Sequence, residues 1–518
     1  MAPRHRTTAD ALSAPDENHS YEVKMVSVAQ PITGNTARRG IGAWALISLA
    51  MILFVLTLIF VGALAALLPW WLIVAVSAAP IFLVIAWRIP DLALVLLAAV
   101  SFGLIPDFIL PSIPIAGGAL RAEDLGLFSL FALLVVKNLQ GSYKFAALVA
   151  KPIAVVAPLV LVSLISAMLA IIYAKSGIKD VFNEARNYAY WLYLPLIPLA
   201  VRREEEFHRF TKLLFALAMI IAVAMIFQST TGVKITTRGQ FSELWNVSDS
   251  VAGITRSTTP GMFLMAGSLL WLLVAYALGE IKFSILFAIS VLILLGGIVV
   301  GFGRGLWVSL AIGFVLAGLV NLTPRYLKTL FVLGLLFSVL SAVSVIAKPE
   351  LLEAVVKRAT SFTEEFERGT SLERRKVENQ FAINAFLGNP LEGVGLGGRY
   401  KPYGVDSAAW EAESRYIHNT YLHAAAKMGL PGLIALVFAI LYLLHSGWMV
   451  FRRTKKFRAL SFVSFWVLFS SGVVTAFTQP NWLTSTGVLS VCIALYFTEY
   501  IRRLERGVSP ISPGKVVE

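Results

Sequence analysis

Apolar runs alternate with short polar or charged turns along most of the chain, beginning at Ile41. A helical run of about 20 apolar residues crosses a hydrocarbon core of roughly 30 Å. The pattern therefore predicts about fourteen membrane-spanning helices. The predicted spans are 42–66, 69–87, 91–106, 120–137, 152–173, 188–201, 211–228, 260–279, 282–300, 305–321, 327–347, 431–450, 459–477 and 482–500. The spans 91–106 and 188–201 are short for a crossing, so the pattern also allows about twelve.

The polar segments predict the domain organisation. Residues 1–40 lack a basic segment followed at once by an apolar core, which indicates a disordered tail rather than a signal peptide. The longest interior polar segment has helical patterning in 351–357 and 372–386, which predicts a small helical domain on the membrane surface. The predicted units are a cytoplasmic tail (1–40), a transmembrane bundle (41–347) with an outer loop (228–259), a large outer loop (348–430), C-terminal transmembrane helices (431–501) and a second cytoplasmic tail (502–518).

Composition and charge agree with a membrane protein. Hydrophobic residues make up 58% of the 518 residues and charged residues 14%, which is unlike a soluble domain. Much of the net charge of +14 lies in short segments between apolar runs, which is the positive-inside pattern and not a nucleic-acid-binding surface. It predicts that both termini are cytoplasmic and that 106–119, 174–187, 228–259 and 348–430 face outward. The inner segments carry Arg38, Arg39, Lys137, Lys144, Lys151, Arg202, Arg203, Arg209, Arg325, Lys328, Arg452, Arg453, Lys455, Lys456, Arg458, Arg502, Arg503 and Arg506.

Cysteine and histidine usage predicts neither a metal site nor a redox site. The chain has one cysteine, Cys492, so it cannot form an internal disulfide or a thiolate-ligated zinc site. None of the six histidines forms an HExxH pattern, and His418 and His423 are five residues apart rather than four. The GxGxxG spacing of 393–398 follows a turn and not a strand, which argues against a nucleotide-binding loop.

Several motifs in the second half of the chain occur in a characteristic order. The run Thr370–Gly398 contains an Arg-led helix and a Pro-Leu-x-Gly-x-Gly turn, and His418-Asn-Thr-Tyr-Leu422 precedes Gly429-Leu-Pro-Gly432. Together they resemble the O-antigen ligase and O-antigen polymerase superfamily. Arg256 with Pro260-Gly261, and Gly301-Phe-Gly-Arg304-Gly305, agree with this resemblance, which covers roughly 228–450. Two positions depart from it, because members often have Trp where Asn379 stands and Glu where Lys427 stands.

The resemblance implies an all-α transmembrane bundle of GT-C-like type in the bacterial inner membrane, with a periplasmic active site. It implies inverting, metal-independent glycosyl transfer from an undecaprenyl-pyrophosphate-linked glycan to a hydroxyl of another glycan or of a lipid A core, without a cofactor. Membrane lipids and a chain-length regulator are further implied partners, and nucleic acid is not. The large number of predicted spans favours a polymerase of O-antigen or exopolysaccharide repeats over a ligase, although the motifs do not separate the two.

The chemistry of such a reaction selects candidate residues among those motifs. Arginines suit a pyrophosphate leaving group because they stay charged and donate paired hydrogen bonds, and a histidine suits the attacking hydroxyl. On this basis the resemblance assigns catalytic roles to His418, Arg256 and Arg304. It assigns substrate binding to Arg375, Asn419, Tyr421, Gly393, Gly395 and Arg399.

Each candidate also has a purely structural interpretation. His418 can serve as a helix-entry residue, and Arg304 can extend from a helix end to the membrane interface. Arg256 and Arg375 can be solvated loop charges, with Arg374 and Lys376 competing for the role of Arg375. Charges next to two predicted outer helix ends are explained by salt bridges that anchor the helix ends, with contacts to the acceptor or to lipid phosphates as the alternative. These charged residues are Arg121, Glu123, Asp124, Glu184 and Arg186.

The sequence argues against two other classes of function. A transporter or flippase places ionisable groups near the midplane of several spans, whereas the predicted spans are nearly free of charge. A scaffold or receptor has no need for Arg, His and Gly gathered on one face.

Overall fold

A computed structural model describes residues 70–105, 112–115, 118–139, 148–173, 175–236, 241–243, 255–320, 322–347, 349–360, 370–402 and 415–507. The predicted span 42–66 and the tail 1–40 lie outside these ranges. The helices are α1 (Trp70–Arg88), α2 (Pro90–Ser101), α3 (Ala122–Leu139), α4 (Ala150–Ile172), α5 (Ile178–Ala189), α6 (Tyr193–Ala200), α7 (Glu204–Thr231), α8 (Met262–Ala277), α9 (Ile285–Val300), α10 (Arg304–Val320), α11 (Pro324–Ala347), α12 (Pro349–Thr360), α13 (Thr370–Gly388), α14 (Thr420–Arg453), α15 (Arg458–Phe469) and α16 (Ser485–Glu505).

The described residues are overwhelmingly helical, so the all-α prediction is confirmed. Strands occur there only as two short antiparallel pairs, β1 (Ser112–Ile115) with β2 (Gly118–Arg121) and β3 (Phe241–Glu243) with β4 (Thr255–Ser257). β1, β3 and β4 lie in segments predicted to face outward, and β2 extends from one of these segments into the predicted span 120–137. They turn the chain between helices and do not form a separate layer.

Membrane-spanning capacity is clearest in four of the described helices. By length and hydropathy, Ala150–Ile172, Glu204–Thr231, Pro324–Val343 and Thr420–Arg453 can cross a membrane. Shorter apolar helices, among them α8, α9 and α10, pack beside them. The chain is therefore a polytopic membrane protein, and the total of about fourteen crossings stays a prediction.

The two short predicted spans correspond to helical segments that are mostly buried. The first corresponds to α2, whose 12 residues extend for about 18 Å. The second corresponds to a 3-10 turn at Tyr190–Leu192 followed by the eight residues of α6. Most of the side chains of both segments are buried inside the bundle, as with Leu94 and Leu196. The first is too short to cross by itself, whereas the second continues directly from α5, and membrane crossing by either segment stays a prediction.

Several predicted inner segments meet at one end of the bundle. Lys455, just after α14, donates its backbone N–H to the Glu505 carboxylate at the end of α16, at 2.8 Å. The Ala459 N–H donates to Glu280 at 3.0 Å, which joins α15 to the turn after α8. The last turn of α14 lies at this basic end of the bundle, and the helix is 34 residues long. Its first residues therefore lie at the opposite end.

A kink divides α14 near its start. Gly429 has φ 66° and ψ −164°, and a Cβ there would lie 2.3 Å from the Leu391 carbonyl oxygen. Only glycine tolerates both the left-handed backbone and this close approach. The sequence predicted a span from 431, but the helix already begins at Thr420 and bends at Gly429.

The turn after α13 packs against the kinked part of α14. The N–H of Val394 donates to the Ala426 carbonyl at 2.8 Å, and that of Gly395 donates to the Lys427 carbonyl at 3.1 Å. The predicted helical stretches 351–357 and 372–386 lie within α12 and α13. The chain after α13 thus packs against the part of α14 that follows the histidine motif.

Candidate functional site

His418 lies immediately before α14 and is held by an acidic residue that the sequence did not single out. Its Nδ1 is 2.8 Å from the Glu378 Oε2 of α13, and its backbone N–H donates to the other carboxylate oxygen. The Tyr416 ring meets the imidazole edge-on, with 4.9 Å between centroids. One third (33%) of the His418 side chain is exposed, so the ring is oriented on one side and open on the other.

Glu378 itself is buried. Burial acts to raise the pKa of this carboxyl, but the hydrogen bonds that His418 donates, together with the His418 charge when the ring is protonated, outweigh it and hold the pKa below its ordinary value. Glu378 therefore stays an anion beside the imidazole. It follows Arg375 by three residues on α13, so the two share a helix face.

Arg256 and Arg304 lie at one turn. β4 carries Arg256, whose Nε donates to the Gly301 carbonyl at 3.3 Å, and Arg304 begins α10 three residues after Gly301. The strand is fixed by Gln228, which donates from Nε2 to Ser257 Oγ at 2.7 Å. Phe302, two residues before Arg304, is buried and has φ 47°, a strained value for a residue with a side chain.

A second turn, 475–479, joins the arginine turn to the histidine segment. The Thr420 N–H donates to the Ala476 carbonyl at 2.7 Å, and the Thr420 hydroxyl donates to the Gln479 carbonyl at 2.9 Å. The same turn also lies close to the start of α10, because a Cβ on Gly305 would be 3.5 Å from Thr478 Oγ1. Arg304 and His418 thus stand next to residues that contact the same short turn.

Asn419 and Tyr421 have clear structural roles. The Asn419 side-chain oxygen accepts hydrogen bonds from Tyr421 N at 3.0 Å and Leu422 N at 3.1 Å, so it caps α14. The Tyr421 hydroxyl donates to the Gly472 carbonyl. Both contacts fix the start of α14, and substrate binding by these residues stays a prediction.

Gly393 and Gly395 are close-packing positions. A Cβ on Gly393 would lie 2.6 Å from the Ala426 carbonyl oxygen, and one on Gly395 would lie 2.7 Å from Ala170 Cβ. Their φ angles of 67° and 85° also favour glycine. Their glycine identity is thus explained by packing, independently of any ligand. Arg399 follows the same turn and is partly buried.

A buried ionic cluster fastens this turn to α5. The Glu184 carboxylate lies 2.9 Å from Lys427 Nζ and 3.0 Å from His423 Nε2, and it accepts the Gly397 N–H at 2.5 Å. Lys427 Nζ also donates to the Gly398 carbonyl at 2.7 Å. Burial acts to raise the pKa of Glu184, but Lys427 and His423 outweigh it and lower the pKa to about 2. Lysine at position 427, where the resemblance favours Glu, is therefore matched by an acidic residue on another helix.

Further ion pairs line the same region. Asp180 pairs with Arg415 at 2.9 Å, and Lys175 pairs with Glu392 at 2.6 Å. The salt-bridge interpretation of the outer helix-end charges agrees with Arg186–Asp124 at 3.6 Å and Arg121–Glu123 at 3.8 Å. Glu184 differs, because it pairs with α14 and not with its neighbour Arg186.

Residues 289–437 match the family model described as O-antigen ligase. Over these residues the chain is similar to the O-antigen ligase family. The matched residues run from α9 into α14 and include Arg304, Glu378 and His418. No curated protein matches the chain. The resemblance drawn from the motifs is thereby confirmed, and the general function is of the O-antigen ligase or polymerase type, which is glycosyltransferase-like.

The matched residues are contacted by residues that precede them in the chain. Arg256 precedes it and donates to Gly301 within it, and Glu184 precedes it and holds Lys427 and the Gly397 N–H. The N-terminal half of the chain therefore supplies part of the candidate site. Glu184 belongs to no recognisable motif, because its partner Lys427 lies 243 residues away in the chain.

Proposed function

We propose that this protein is an inverting glycosyltransferase of the bacterial inner membrane that acts at the periplasmic face. It transfers a glycan from undecaprenyl pyrophosphate to a glycan hydroxyl and thereby polymerises O-antigen or exopolysaccharide repeats. The observation that carries the proposal is the shared turn 475–479, which contacts both the arginine turn and the start of α14. These contacts support the proposal that the guanidinium groups of Arg256 and Arg304 and the partly open imidazole of His418 act in one region.

The chemistry requires one bond to form and one to break at the anomeric carbon. The acceptor oxygen attacks that carbon as the bond to the pyrophosphate oxygen breaks, and the acceptor proton passes to His418 Nε2. Arg256 and Arg304 balance the charge that develops on the departing pyrophosphate. Arg375 and Arg399 are proposed to bind the donor phosphates or the glycan, with Asn419 and Tyr421 fixing the backbone next to His418.

The charge distribution supports a periplasmic site. The basic segments at Arg325, Lys455 and Arg503 follow the positive-inside rule if they are cytoplasmic. His418 precedes the end of α14 that is remote from Lys455. The candidate site then lies where a lipid-linked glycan is presented after export, which is consistent with a donor that carries its own activation.

The alternative acceptor is a lipid A core, which makes the protein an O-antigen ligase. The description of the matching family as O-antigen ligase favours this second candidate. The two functions share the donor and the departing pyrophosphate. They differ in whether one glycan or many are joined to the acceptor.

One experiment tests the proposal and separates the two candidates. The purified protein in lipid nanodiscs receives an undecaprenyl-pyrophosphate-linked oligosaccharide alone, or together with a lipid A core acceptor. A polymerase produces a ladder from the donor alone, whereas a ligase produces a single adduct only with the core. His418→Ala abolishes either product while the protein remains folded. Normal product from that variant removes His418 from the mechanism.

A further inference from the structure

We propose that Glu378 is a positioning residue that fixes the tautomer of His418, so that Nε2 presents its lone pair to the acceptor hydroxyl. This inference rests on the proposed function, because it assigns to His418 the role of proton acceptor. Glu378 lies on α13, and none of the sequence motifs assigned it a role.

The geometry of the pair determines where the ring proton lies. A carboxylate has no proton to donate and can only accept hydrogen bonds. Glu378 receives two from the same residue, one from the His418 backbone N–H and one from Nδ1. The neutral imidazole must therefore carry its proton on Nδ1, which leaves Nε2 unprotonated.

The surroundings leave Nε2 available. Among the described residues, the hydrogen-bond partners of the ring are confined to the Nδ1 side. Glu378 is 6% exposed, whereas a third of the His418 side chain (33%) is open. The Tyr416 edge contact restricts ring rotation further. The Glu378 carboxylate is thus buried, whereas the His418 imidazole that it contacts is partly exposed.

The charge of Glu378 also serves the reaction. When Nε2 takes the acceptor proton, the ring becomes an imidazolium whose positive charge lies 2.8 Å from the carboxylate. A fixed anion at that distance stabilises the charge as it develops, as in a nucleophile–base–orienter arrangement. A contact that merely joined α13 to α14 would have the same distances, so the test must read the tautomer itself.

Glu378→Gln is the informative substitution. The amide has one accepting oxygen, which remains opposite the His418 N–H, so its NH2 group faces Nδ1. The ring then accepts at Nδ1 and carries its proton on Nε2, which is the wrong tautomer for a base. We expect kcat to fall on the order of 100-fold to 10,000-fold with little change in KM, by analogy with the orienting acid of a catalytic triad. Gln380→Ala, an exposed change on the same helix, is the matched control and retains activity.

Nitrogen-15 NMR of histidine-labelled protein in nanodiscs reads the tautomer directly. The His418 signal is assigned by its loss in His418→Ala. In the unmodified protein we expect protonated Nδ1 and unprotonated Nε2, and in Glu378→Gln the reverse. Glu378→Asp keeps a carboxylate and is expected to keep the original tautomer with intermediate activity.

The outcomes separate this inference from the function on which it rests. An unmodified protein with Nε2 protonated throughout the active pH range overturns the inference, even if every variant fails to fold. So does a fully active Glu378→Gln. In either case an inactive His418→Ala leaves the proposed function standing. A fully active His418→Ala instead removes the proposed base and the inference with it.

Discussion

Loss of Lys427 is expected to destabilise the protein strongly. Its side chain is fully buried (0% exposed), and its ammonium group lies 2.9 Å from Glu184 and 2.7 Å from the Gly398 carbonyl oxygen. Lys427→Met leaves the Glu184 carboxylate buried with only His423 and the Gly397 N–H beside it. Removing one partner of a buried ion pair costs about 3–5 kcal/mol. We expect a loss of that size in the free energy of unfolding.

A double-mutant cycle isolates the pair. Glu184→Gln removes the other charge, and the double variant Glu184→Gln with Lys427→Met leaves neither charge unpaired. The free energy of unfolding is measured by SDS titration in mixed micelles for the four proteins. We expect the double variant to be more stable than the sum of the single losses predicts, by about 2 kcal/mol.

The partly exposed pair Lys175–Glu392 provides the matched control. It has a shorter contact, 2.6 Å, but its side chains are 26% and 40% exposed. Lys175→Met is expected to cost at most about 1 kcal/mol, because solvent screens the pair. Equal losses for Lys175→Met and Lys427→Met, or strict additivity in the cycle, refute the argument that burial makes the Glu184–Lys427 pair critical.

Three further predictions follow from the site. Arg256→Lys is expected to reduce turnover at least about tenfold, because an ammonium cannot reproduce a planar guanidinium, and full turnover would reduce Arg256 to a generic charge. Gly429→Ala is expected to lower the thermal unfolding midpoint, since its Cβ would lie 2.3 Å from the Leu391 oxygen, and an unchanged midpoint would contradict this packing. The pKa of Glu184 is lowered from 4.5 to about 2. The contribution of Glu184 to the free energy of unfolding is therefore complete above pH 4.5 and is lost as the pH falls towards 2. Glu184→Gln is expected to reduce this decrease of the free energy of unfolding at acidic pH.

The long apolar helices were predictable from the sequence. The predicted span 152–173 corresponds to α4, and 327–347 to α11, because run length and flanking charge define such helices without reference to tertiary contacts. The start of α14 was not predicted. Its first turn carries a mixture of polar and small residues, and Gly429 with Pro431 reads as a helix start rather than as a kink.

The motif residues were predictable, but their partners were not. His418 and Arg304 stand in recognisable local patterns, whereas Glu378 and Glu184 stand on helices with no pattern of their own. Glu184 becomes identifiable only when the fold brings α5 against α14, 243 residues away. A buried charge needs a partner, yet the sequence does not say which of many oppositely charged residues supplies it.

The most direct test of the central claim is the balance between donor consumption and bond formation in purified protein. We expect one undecaprenyl pyrophosphate to be released for every glycosidic bond formed, without added nucleotide, and no release with His418→Ala although the donor still binds. Mass spectrometry of the lipid and glycan products measures both quantities. Glycan bonds formed without pyrophosphate-lipid release, or undiminished release by folded His418→Ala, would contradict the account.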